Sequence, residues 1–137
     1  MTDSDLKTLL DMYNTQVSAN NALWTFFSVV ALGVLGFVYK GGIEPTSRAA
    51  RLTMSLGFLV FAVGHQTVIL RAQRLLVATV GFLQSRAAEV PGGYRPILQA
   101  MEATPVWKMQ FFHSLLIVGV LAAIWIPTIL RRQARHG

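Results

Sequence analysis

Three stretches of this chain, Met12 to Tyr39, Leu52 to Leu70 and Met109 to Leu130, contain no Lys, Arg, Asp or Glu. The hydrocarbon core of a bilayer is about 30 Å thick, and a helix needs roughly 20 apolar residues to cross it. Each run supplies about that length. Lipid offers backbone groups no water to bond, so such runs fold as helices whose hydrogen bonds are internal. The expectation is an all-α integral membrane protein with three transmembrane helices.

Composition narrows the classes further. Three spans within 137 residues leave room for one membrane domain, 1–137. Apolar residues make up 53% and charged residues 13%, against about 25% charged in a soluble domain. The net charge of +6 does not point to nucleic acid, because the basic residues form no tract or face. Arg71, Arg74, Arg131 and Arg132 sit at or just beyond the ends of apolar runs, where side chains meet lipid headgroups. The absence of cysteine excludes disulfides, iron–sulfur clusters, zinc–thiolate sites and a catalytic thiol.

Breakers divide the chain. From Asp3 to Val38 there is no proline and the first glycine is Gly33, so one helix over about 3–39 is expected. At 1.5 Å per residue it is longer than a bilayer is thick, and about four turns stand outside. Leu6, Leu10, Tyr13, Val17 and Trp24 form an apolar stripe along it. Gly41-Gly42 ends this helix and Pro45 introduces a second, about 48–89, which meets no breaker before Pro91-Gly92-Gly93. A short helix over about 96–104 and a third span over about 107–131 follow. Helices 1 and 2 thus extend beyond the bilayer and, with the short helix, build a small helical cap. Lys40, Arg48, Arg51, Arg131, Arg132 and Arg135 crowd the other ends of the spans, which places the C-terminus in the cytoplasm and the cap outside it. The bacterial inner membrane is the expected location.

Two constellations bear on function. Asn14, Ser18, Asn21, Thr25 and Ser28 alternate by four and three residues and share a face of helix 1, which Leu32 and Leu35 continue into the membrane. In a homo-oligomer with this helix at the axis, the stripe lines a polar vestibule above a leucine constriction. Within one subunit, the same residues serve as hydrogen-bonded packing positions. The second constellation is His65 with Gln66 on helix 2 and His113 on the third span, at similar depth in an antiparallel pair. Two such imidazoles either bond to each other or ligate a haem, a metal or a quinone, with Phe58, Phe61, Phe111 and Phe112 as flanking rings. The pairs Gly57 with Gly64 and Gly119 with Ala123 read as helix-packing positions.

No catalytic set emerges. All six acidic residues lie outside the spans, and Ser, His and acid occur at no recognisable spacing. Bacterial diacylglycerol kinases and the membrane anchors of succinate dehydrogenase have a similar span number. The intramembrane glutamates of the first are missing here, as is the Ser and Arg pattern of the second around His65. The resemblance to three-span phage holins is architectural, in size and in the basic tail Arg131, Arg132 and Arg135. The expected function is therefore non-enzymatic: a homo-oligomeric pore or membrane scaffold associating through helix 1, with the lipid bilayer as partner and no cofactor. The alternative is an accessory or redox anchor of a larger complex, with another membrane protein as partner and haem or quinone at His65 and His113.

Overall fold

A computed structural model describes residues 2–40, 48–90 and 92–133. Its elements are α1 (Asp3–Lys40), α2 (Arg48–Ser85), a 3-10 turn (Ala87–Glu89), α3 (Arg95–Ala100) and α4 (Val106–Gln133). All regular structure among the described residues is helical. Three helices, within Ser4–Tyr39, Arg48–Ser85 and Val106–Ile126, are long and apolar enough to cross a membrane. The expected Gly41–Gly42 break, the Pro45 restart and the end of the basic tail lie outside the described residues.

Local chemistry sets the helix ends. Thr2 and Asp5 form a reciprocal capping box: the Asp5 N–H donates to Thr2 Oγ1 at 3.2 Å, and the Thr2 N–H donates to Asp5 Oδ2 at 3.0 Å. α2 ends at Ser85, short of the expected residue 89. The Arg86 N–H is shared between the Phe82 and Leu83 carbonyls, and the chain tightens into the 3-10 turn. Arg95 then donates to the carbonyls of Ala87 and Ala88, satisfying groups of the 3-10 turn. α3 begins at Arg95 with Pro96 in its first turn and stops at Ala100 instead of 104, because Met101 turns extended with ψ of 127°. The segment from Met101 to Pro105 stays out of helix, as the residue before a proline prefers. Pro105 then starts α4 by accepting from the Lys108 and Met109 N–H groups.

The chain forms two compact units. The first comprises Met1–Trp24 and Val68–Gln110, which gathers the segments expected to form the cap. Its core is Leu6, Leu83, Ala87, Val90 and Leu98, with Leu9, Leu10, Tyr13 and Met101 packed on it. The second comprises Thr25–Thr67 and Phe111–Gly137. There Phe27, Ala31 and Val38 of α1 meet Phe58 and Ala62 of α2 and Ile117, Val120 and Ile124 of α4.

Both cores follow heptad spacing. On α2, Phe58, Ala62 and His65 are buried in the second unit, and Ile69, Gln73, Leu76, Val80 and Leu83 in the first. These positions advance by four and three residues, the repeat that keeps one seam of a helix against its neighbours.

Candidate functional site

The second unit brings the two predicted histidines together. His65 is 7% exposed and His113 is fully buried, and His65 Nδ1 lies 3.3 Å from His113 Nε2. One nitrogen carries the proton and the other accepts it, so the two rings share a hydrogen bond whose direction depends on their tautomers. Both residues occupy seam positions, which is why their rings face each other. The neighbouring contacts run in the same antiparallel register. Gln66 Nε2 donates to Ser114 Oγ at 3.4 Å, and Trp125 Nε1 donates to Ser55 Oγ at 3.2 Å. From Ser55 to His65 and Gln66 along α2, the partners on α4 run back from Trp125 to His113 and Ser114. Tyr39 adds a bond from α1, donating to the Ala123 carbonyl at 3.2 Å.

Aromatic rings surround the pair, although not all the expected ones. Phe61 lies 5.6 Å from His65, and Phe58 packs on Phe61 and Phe27. Phe111 and Phe112 are 61% and 59% exposed and contact each other instead. Their place is taken by α1. The Phe27 ring is 4.4 Å from His113 and 5.4 Å from His65, and Phe26 reaches His65 at 6.3 Å. Spacing within α2 and α4 carries no information about α1, so Phe26 and Phe27 were invisible to a reading based on two helices.

This geometry can be tested against the groups that paired histidines hold. With metal–nitrogen bonds of about 2.0–2.1 Å, two imidazoles on opposite sides of a haem iron stand roughly 4 Å apart with the macrocycle between them. The rings here touch directly, and Phe27 and Phe61 fill their flanks. A tetrahedral ion tolerates the observed spacing but needs further ligands. Among the described residues no three His, Cys, Asp or Glu side chains converge. The residues fit a hydrogen bond that joins α2 to α4, and they do not fit a haem.

The first unit contains a polar centre that composition did not single out. Gln73 is 2% exposed. Its Nε2 donates to the Thr104 carbonyl at 2.6 Å, and its Oε1 accepts from Asn20 Nδ2 at 2.9 Å. Three turns farther along α2, Gln84 Nε2 donates to the Met101 carbonyl at 2.7 Å. Two glutamines thus fasten the extended Met101–Pro105 segment to α2. A heptad count was the available signal, since Gln73 falls on the seam between Ile69 and Leu76.

The polar stripe of α1 lies on a different face from the core. Tyr13, Val17, Asn20, Trp24, Phe27, Ala31 and Val34 form the inward seam, all buried or half-buried. Each stripe residue is the next one along, a rotation of about 100° at 3.6 residues per turn. In the first unit Asn14, Ser18 and Asn21 are exposed. In the second, Thr25, Ser28 and Leu32 are exposed, whereas Leu35 is half-buried and packs against the core. Gly33 and Gly36 add open notches beside the stripe, since a Cβ at either meets nothing within 4 Å. Gly57, Gly64 and Gly119 are open in the same way, so these small residues are not closing helix contacts within the chain.

Arg71 and Arg74 are exposed on α2, as headgroup contacts require, while Arg51 is buried. Arg131 and Arg132 fall in the last turns of α4, and their side chains lie outside the description. No family model, curated protein or solved structure matches this chain.

Proposed function

We propose that this chain is an integral membrane protein whose copies associate through the stripe of α1, forming a pore if the stripe lines the axis and a scaffold if it is sealed. One observation carries the reading: α1 has two seams, and the polar one faces away from the chain's own core. The stripe's exposed positions and the open notches at Gly33 and Gly36 let a second helix approach closely. Leu32, 68% exposed, supplies the apolar constriction of a pore in this arrangement. The basic residues around Arg131 and Arg132 orient the C-terminus toward the cytoplasm.

Native mass spectrometry from mild detergent, followed by ion flux through proteoliposomes, tests the proposal. A single closed oligomer is expected. Flux that disappears in an Asn21→Leu, Thr25→Leu double variant supports the pore, and an oligomer without flux supports the scaffold. A monomer at all accessible concentrations removes both.

A further inference from the structure

α4 runs from Val106 to Gln133, and position 127 within it is proline. In an α-helix each N–H bonds to the carbonyl four residues earlier, and proline has no N–H to give. The carbonyl deprived by Pro127 is therefore that of Ala123. It is the same carbonyl that accepts the Tyr39 hydroxyl of α1 at 3.2 Å. A bond missing within one helix is replaced from another.

Depth makes the replacement matter. Ala123 lies in the charge-free run Met109 to Leu130, about two turns before its end. Lipid offers a freed carbonyl no donor, so a proline inside a span is tolerated where a neighbouring helix supplies one. The packing presents Tyr39 for this. Val38, the residue before it, is buried in the core that holds Val120 and Ile124, which brings the end of α1 against that turn of α4. Tyr39 itself is 57% exposed, so its hydroxyl bond and not close packing ties it to α4. The same turn is held from α2, where Ser55 Oγ accepts from Trp125 Nε1 at 3.2 Å.

We propose that Tyr39 is a releasable strap: its hydroxyl takes the place of the missing Pro127 N–H and closes the seam between α1 and α4 at this end of the second unit. Release leaves the Ala123 carbonyl without a donor and loosens that seam, while the bond from Trp125 keeps α4 on α2. The inference takes membrane insertion from the reading above and is independent of oligomerisation and conduction.

The test is a double-mutant cycle of Tyr39→Phe and Pro127→Ala in the full chain, read by thermal unfolding in detergent. Tyr39→Phe is expected to lower the midpoint by a few degrees. Pro127→Ala returns an N–H to α4, so in that background Tyr39→Phe is expected to change the midpoint little or not at all. Spin labels on Phe37→Cys and Ala122→Cys, both at exposed positions, report the seam. Their distance distribution in liposomes is expected to broaden when Tyr39→Phe is added. Equal loss of stability in both backgrounds, no loss in either, or an unchanged distance distribution overturns the assignment. Alkaline extraction of cell membranes separates the two levels. Protein released by carbonate defeats membrane insertion itself, whereas retained protein with no coupling between positions 39 and 127 defeats only the strap.

Discussion

Gln73 donates to the Thr104 carbonyl, and that bond determines which way round the Asn20 amide points. A carbonyl only accepts, so the nitrogen of Gln73 must face Thr104 and its oxygen must face Asn20. Asn20 then has to present its own nitrogen, leaving its Oδ1 turned elsewhere and buried without a hydrogen-bond partner. One backbone carbonyl thus orients two side-chain amides in sequence.

Gln73→Leu breaks both links and leaves the Asn20 amide group without its acceptor. Losing a partner costs roughly 1–3 kcal/mol per buried group. The expected result is a lower unfolding temperature in detergent and faster proteolysis between Met101 and Pro105. Gln73→Glu is expected to be at least as damaging, because a carboxylate sets oxygen against the Thr104 carbonyl.

Gln16 behaves in the opposite sense. Its Oε1 is buried one turn before Asn20 with no hydrogen-bond partner, so it contributes desolvation without compensation. Gln16→Leu is expected to leave stability unchanged or raise it by about 1 kcal/mol. Thermal unfolding alongside Gln73→Leu reads the sign directly.

For the histidine pair, a double-mutant cycle with His65→Phe and His113→Phe measures the coupling. Interhelical hydrogen bonds in membranes average about 0.6 kcal/mol and reach about 1.7, and a favourable coupling in that range is expected. A coupling near zero means that the close contact contributes packing only. A Soret band in protein purified from haem-replete cells, lost on His65→Ala, overturns the case against haem.

The absence of cysteine permits a clean mapping of the α1 face. Single cysteines at Ser18 or Ser28 are expected to form disulfide-linked dimers in oxidised membranes. Cysteines at Leu56 or Val118, also exposed but on other helices, are expected not to. Equal crosslinking at all four positions indicates random collision and removes α1 as the association face.

Much of the architecture was visible before any coordinates, because charge-free runs and glycine or proline breakers act locally. Those signals place the three apolar helices α1, α2 and α4. Ends that depend on local tightening were less accessible. Nothing in composition distinguishes continued α-helix from the 3-10 turn after Ser85, and Pro105 acts backwards on residues that otherwise suit a helix. The meeting of His65 and His113 was legible from depth alone. Phe27 was not, because its contribution depends on the rotation of α1 about its own axis. Gln73 was not singled out for a different reason: a polar residue amid Arg71 and Arg74 looks like part of a wet face until the heptad phase is counted.

Ser55, His65 and Gln66 stand at unequal intervals along α2, each bonded to a side chain of α4, and this has a consequence for assembly. Evenly spaced leucines let a helix slide by seven residues and find an equally greasy neighbour, like a zip closed one tooth out. Here a displacement of seven sets His113 against Phe58 or Ala72, and neither side chain answers an imidazole. The uneven polar spacing works as a key with one matching lock. α2 and α4 therefore have one alignment at which every tooth engages.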